Sequence, residues 1–156
     1  MKCSRGKLAN LLLGLHEAGV LAHAIVLGTL AFQAYGAILG AKFGQTALYT
    51  MDIDLTQAET VSAAPALDLQ PSSLLELLIS VDATFREVPP MNHRARPVSY
   101  INAERFRVDV LMPFQGRQRG PIYAKRLRSH GQPLRYMDFL IQEPVETVVL
   151  AGGGIN

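Results

Sequence analysis

The run from Ala18 to Ala41 contains no Asp, Glu, Lys or Arg, and no other stretch restricts the fold as strongly. It is longer than the ~20 apolar residues that cross a bilayer as a helix. Its internal order points elsewhere. Gly19, Gly28, Gly36 and Gly40 punctuate it, and His23 and Gln33 place polar groups where lipid offers no partner. Divided at the glycines, the run predicts a buried strand over Val20–Leu27 with its core in Ile25, Val26 and Leu27. A turn at Gly28 and Thr29 follows, then a short buried helix over Leu30–Leu39. No membrane association is expected.

Ahead of this run, Leu8, Leu11, Leu12 and Leu15 recur at helical spacing, which predicts a first helix stopping near Gly19. The basic start, Met1 to Lys7, superficially resembles a secretory leader. His16 and Glu17 then interrupt the apolar stretch, and no small-residue cleavage site follows. Cys3 is the only cysteine and has no intramolecular disulfide partner, so the expected compartment is the cytoplasm. A chain of 156 residues that is 49% hydrophobic has the size and apolar content of one domain with its own core.

Beyond the run, Leu48–Leu55 reads as a strand in which Asp52 and Asp54 alternate with Met51, Ile53 and Leu55. Side chains two apart on a strand face the same way, so both carboxylates leave one face while the three apolar residues enter the core. Thr56–Gln70 reads as a loop, and Ser73-Leu74-Leu75-Glu76 matches a capping box that opens a helix to Ser80. Val88–Pro97 is an irregular connection. Pro97–Ile101 and Arg105–Met112 form a hairpin around Asn102-Ala103-Glu104, with Arg105, Arg107, Asp109 and Leu111 opposite Phe106, Val108 and Val110. Pro113–Gly120 is a polar loop, Ile122–Arg128 fits helix or strand, as does Leu134–Gln142, and Val145–Leu150 reads as a buried strand. The expected class is α+β, a small mixed sheet flanked by helices.

Carboxylates in apolar strands are costly to bury unless a cation or a donor meets them. Hard divalent ions prefer carboxylate oxygen, and two of them held ~3.5–4 Å apart serve transfer at a phosphorus centre. Asp52 and Asp54 on one strand, with Asp109 between Val108 and Val110 on another, supply such a donor set. Taken alone, the Asp-x-Asp pair reads equally well as a solvated strand face. The upstream Gly28-Thr29 turn adds backbone N–H groups and a hydroxyl at a helix N-terminus, where phosphate oxygens are favoured.

Several other chemistries are excluded. His16, His23, His93 and His130 are scattered and lack metal-motif spacing, no phosphate loop ending in Gly-Lys-Ser/Thr occurs, and no serine sits in a nucleophile turn. The net charge of +2, from 15 Lys and Arg against 13 Asp and Glu, is far from that of a protein held to nucleic acid by overall charge. Any polyanion site must be local. Arg107 reads as a structural ion pair or a phosphate contact. Arg117, Arg119, Lys125, Arg126 and Arg128 read either as a guide for a nucleic-acid acceptor or as a solvated basic surface.

Together, Leu27-Gly28-Thr29, Asp52-Ile53-Asp54 and Val108-Asp109-Val110 resemble the signature of the polymerase-beta-like nucleotidyltransferase superfamily. Within it, the chain resembles a bacterial family of predicted nucleotidyltransferases related to the enzymes of abortive-infection toxin systems. The residues carrying this are Gly28–Phe32, Thr50–Asp54, Phe106–Leu111 and Pro133–Leu140. Thr29 departs from the commoner Ser or Gly, and the spacing from Gly28 to Asp52 is longer than in compact members.

The resemblance implies that Asp52, Asp54 and Asp109 are catalytic and ligate Mg²⁺ or Mn²⁺, with Gly28 and Thr29 holding the phosphates of a nucleoside triphosphate. It leaves the hydroxyl acceptor open among RNA, protein and small molecules, and it suggests an antitoxin-like or self-association partner. Family members usually continue past the last strand into a basic helical region. The expectation is therefore a single catalytic core over residues 1–156, cut short at the C-terminus and also at the N-terminus. A catalytically incomplete module used for binding or regulation is the alternative.

Overall fold

The computed structural model describes residues 5–41, 51–57, 72–114, 116–117 and 119–145. The expected strand residues Leu48–Thr50, residues 58–70 of the expected loop and residues 146–150 of the expected last strand lie outside these. The first helix, α1 (Arg5–Glu17), ends two residues before Gly19. Where a single strand was expected over Val20–Leu27, a 3-10 turn (Val20–Ala22) precedes a four-residue strand, β1 (Ala24–Leu27). Helix α2 (Gly28–Leu39) begins at Gly28 itself, so the expected turn is the first residues of the helix. The uncharged run is thus three short elements, and no helix among the described residues is long and apolar enough to cross a membrane.

Strand β2 (Asp52–Gln57) and helix α3 (Leu74–Val81) follow. The capping box at the start of α3 forms as expected. Ser73 Oγ accepts from the Glu76 backbone N–H, and a Glu76 carboxylate oxygen accepts from the Ser73 N–H at 2.6 Å. A two-residue strand, β3 (Arg86–Glu87), was not expected from the sequence. The hairpin of β4 (Ser99–Ile101) and β5 (Arg107–Pro113) was. Its turn is tied by Asn102, whose side-chain carbonyl accepts from the backbone N–H of Glu104 and Phe106 at 3.1 and 2.8 Å. Arg105 takes a left-handed φ of 67° in this turn and so leaves the strand in which it was expected.

The segments that fitted helix or strand from sequence are settled by pairing. Ile122–Ala124 forms β6, which pairs antiparallel with β7 (Ser129–Leu134) across a turn at Lys125–Arg128. Leu134 ends β7, and Met137–Leu140 is a short helix, α4. Val145, expected at the start of a buried strand, is exposed and outside any strand.

The sheet runs β1-β2-β5-β4-β3, with β2 parallel to β5 and the other pairs on this path antiparallel. Strand β7 continues along the far part of β5 in parallel and carries β6 with it. This mixed sheet flanked by helices is the expected α+β class. Its core face is Ile53, Leu55, Val108, Val110 and Met112, met by Leu11, Leu12 and Leu15 of α1 and Leu74 and Leu78 of α3. Each leucine buried there stabilises the fold by ~1.5–3 kcal/mol relative to exposure. Gly131 of β7 lies against side chains of its sheet neighbour β5, where a Cβ would come within 2.6 Å of Met112 Cγ and 3.1 Å of Val110 Cγ1.

Candidate active site

Because β2 and β5 run parallel and in register, Asp54 stands opposite Asp109, and Asp52 stands opposite Arg107. Paired residues on neighbouring strands present their side chains to the same sheet face, so the four groups share the face opposite Ile53, Leu55, Val108 and Val110. The alternation read from the sequence holds for Ile53 and Leu55, which are fully buried. It fails for Met51, which precedes the strand and is 37% exposed rather than in the core. Along β2 the carboxylate face deepens: Asp52 is exposed, Asp54 is half-buried and Thr56 is fully buried. Among the described residues the Thr56 hydroxyl has no hydrogen-bond partner.

The Gly28-Thr29 turn reaches this face through β1. Leu27 pairs with Asp54 in the antiparallel β1–β2 ladder, so the next residue, Gly28, starts α2 directly beside the Asp54 carboxylate. Gly28 has a φ of 69°, a backbone region that L side chains rarely adopt. A Cβ on Gly28 would collide with Oδ2 of Asp54. Two independent demands therefore require glycine here, and Thr29 follows it, exposed, in the first turn of the helix.

Asp109 is held by an arginine two residues earlier. Arg107 donates from Nε to Asp109 Oδ1 at 2.8 Å and from Nη2 to Ser99 Oγ at 3.1 Å. Ser99 pairs with Asp109 across the β4–β5 ladder and is 6% exposed. Ser99 is not among the residues expected from sequence, because its role depends on strand register, which no local pattern reveals.

The Asp54 carboxyl is pushed above its ordinary value, first by burial, then by the charges of Asp52 and Asp109, while Arg107 pulls it back. The donor set is all carboxylate oxygen, the type a hard divalent cation takes, and the glycine-lined start of α2 stands beside it. By donor type alone, Asp52, Asp54 and Asp109 could hold a hard divalent cation such as Mg²⁺ or Mn²⁺. Among the described residues no group of three or more His, Cys, Asp or Glu stands close enough together to hold a metal ion as the side chains lie. The pairing of Asp109 with Arg107 is one physical reason, since it turns one carboxylate oxygen toward the guanidinium.

A cavity of about 580 Å³ lies elsewhere, between α1 and α3, and is lined by Asn10, Leu13, Glu17, Ser72, Glu76 and Ser80 among others. It is an open groove, and the charge-coupled carboxylates, which stand on an exposed sheet face, are the better guide to chemistry.

Of the residues expected from sequence, Gly28, Asp54 and Asp109 are brought together, with Asp52 and Thr29 at the rim. A family model described as nucleotidyltransferase matches residues 7–156. No curated protein and no solved structure matches the chain.

Proposed function

The chain belongs to the nucleotidyltransferase family, and on that footing we propose that it moves a nucleotidyl group from a nucleoside triphosphate to a hydroxyl acceptor, using Asp52, Asp54 and Asp109 with Mg²⁺ or Mn²⁺. The observation that carries this reading is the register of β2 and β5, which sets Asp54 against Asp109 beside the N-terminus of α2.

In the transfer, the acceptor oxygen bonds to the α-phosphorus, the bond from that phosphorus to the α–β bridging oxygen breaks, and pyrophosphate leaves. Bound divalent ions would neutralise triphosphate charge and stabilise the attacking and leaving oxygens. Asp52 and Asp54 would hold them from the rigid β2 strand, and Asp109 from β5. Burial of Asp54 strengthens every charge interaction made there. Gly28 brings backbone N–H groups to the phosphates at the positive end of α2, and Thr29 adds a hydroxyl. Arg107 engages Oδ1 of Asp109, which leaves Oδ2 to take the acceptor proton.

The test is transfer of label from each of the four α-³²P nucleoside triphosphates, with Mn²⁺, onto the protein itself, total RNA or small-molecule hydroxyls. The expected result is a labelled product that disappears in Asp52→Asn. No label on any acceptor, or label unchanged in Asp52→Asn, contradicts the reading and favours a non-catalytic binding module.

A further inference from the structure

The net charge of +2 conceals a division of the chain. Residues 94–135 hold ten Arg and Lys against two acidic residues, Glu104 and Asp109, while the remainder holds five against eleven. One stretch is therefore at +8 and the rest at −6. Nine of the ten cations in the stretch are arginine, whose planar fork suits phosphate and stacks on flat rings. Arg94, Arg96, Arg117, Arg119, Lys125 and Arg135 are all exposed.

Exposed aromatic rings lie among these cations. Tyr123 is 53% exposed and its ring centroid lies 5.1 Å from that of His130, its partner in the β6–β7 ladder. Arg96 acts on the same imidazole, which burial first and then the Arg96 charge hold below its ordinary pKa. The Arg135 guanidinium lies 5.6 Å above the Phe114 ring, where β5 and β7 end side by side. Strand β5 thus leads from Asp109 in the site toward Phe114 and the Arg117 loop, a rise of roughly 13 Å from Asp109 to Pro113 at ~3.3 Å per residue.

We infer that the 94–135 region is a binding surface for single-stranded nucleic acid and that this strand is the acceptor of the transfer proposed above. Cations track a phosphate backbone, and exposed rings stack only on bases that are not already stacked in a duplex. The acceptor role rests on the nucleotidyltransferase reading of the site, whereas the binding does not. Arg126 is kept out of the test because it is structural: its N–H donates to Gln57 Oε1 at 2.7 Å and its guanidinium meets His23 at 3.3 Å.

The experiment is fluorescence anisotropy with labelled single-stranded RNA, single-stranded DNA and duplex DNA of about 16 nucleotides, the upper end of a typical single-strand site. It is run over a salt series on the wild type, Arg117→Glu/Arg119→Glu/Lys125→Glu and Tyr123→Ala. Both single strands should bind more tightly than the duplex. The triple variant should lose more than about tenfold in affinity and lower the salt slope by about 2, at ~0.7 for each phosphate that is no longer neutralised. Tyr123→Ala should weaken single strands by about 5-fold or more while sparing the duplex. Preference of RNA over DNA identifies which strand is the acceptor, and that strand should take up labelled nucleotide from the wild type and not from the triple variant. Thermal midpoints within 2 °C or so of wild type, less than a ΔΔG of ~1 kcal/mol, exclude unfolding as the cause.

Equal affinity in the triple variant overturns the surface, as does binding to anionic lipid vesicles without binding to oligonucleotide. Labelling of the protein or a small molecule, with no label on a bound oligonucleotide, overturns the acceptor role and leaves the site reading standing.

Discussion

Asp54 and Asp109 face each other across the parallel β2–β5 ladder, two carboxylates on one face with the start of α2 beside them. Like charges in that position destabilise a metal-free fold, which natural proteins tolerate where a function requires it. This relationship, and the groups that surround it, set what substitutions should do.

Gly28→Ala is expected to fail twice. The alanine must adopt the left-handed φ of 69°, at a cost of ~1–2 kcal/mol, and its methyl must displace the Asp54 carboxylate. Urea unfolding should show the stability loss, and titration with a triphosphate and Mn²⁺ should show binding weakened well beyond it. Wild-type nucleotide binding in this variant would remove Gly28 from the phosphate site.

Arg107→Met separates pairing from catalysis. The Arg107 side chain is 47% exposed, so its ion pair with Asp109 is worth only ~0.2–1 kcal/mol after solvent screening, and the metal-free variant should be destabilised by about that much. With Oδ1 of Asp109 released, Mn²⁺ should bind more tightly than to the wild type. Weaker Mn²⁺ binding would show instead that Arg107 holds Asp109 ready for the ion.

Tyr100→Phe tests the joint between β4 and β7. The Tyr100 hydroxyl and Ser129 Oγ lie 2.6 Å apart in a buried contact, and the His130 carbonyl, which can accept from Ser129 Oγ, is 3.4 Å away. Removing the phenol hydroxyl is expected to cost ~1–3 kcal/mol, since Ser129 is then left poorly satisfied. The Tyr100 pKa is raised above its ordinary value of 10.0, first by burial and then by the Glu87 charge, with the Ser129 hydrogen bond opposing. A raised value means the folded state favours the protonated phenol, so this contribution is complete below pH 10 and is lost as pH rises through the folded value. Wild type should lose stability above that pH more steeply than Tyr100→Phe in chemical denaturation, and parallel curves would contradict the assignment.

The parts legible in the sequence share one property, a local pattern with a single physical solution. The Ser73–Glu76 capping box, the Asn102 turn and the alternation of Ile53 and Leu55 against Asp52 and Asp54 are of that kind. Strand β7 is illegible because Ser129-His130-Gly131-Gln132-Pro133-Leu134 has neither alternation nor β-rich composition. Gly131 is there because β5 side chains occupy the space a Cβ would need, a tertiary constraint with no local trace. Arg105 reads as strand because its neighbours are, yet the short turn needs one residue in the left-handed region. That Asp52 and Asp54 share a face is legible from strand alternation, whereas Asp109 and Gly28 join them in the candidate site only through the resemblance to the nucleotidyltransferase signature. Ser99 is not legible, and the basic group over Arg117–Arg128 is, although the sequence leaves open whether it binds a polyanion or is only solvated.

The most direct measurement is calorimetric titration of Mn²⁺ into the wild type, Asp54→Asn and Asp109→Asn, each with its metal-free thermal midpoint. The wild type should bind the ion, and each variant should bind it about tenfold or more weakly, as when a ligand is removed. Metal-free Asp54→Asn should be at least as stable as the wild type, because one of the mutually repelling charges is gone. Equal Mn²⁺ affinity in all three proteins would contradict the assignment of this face as the metal site.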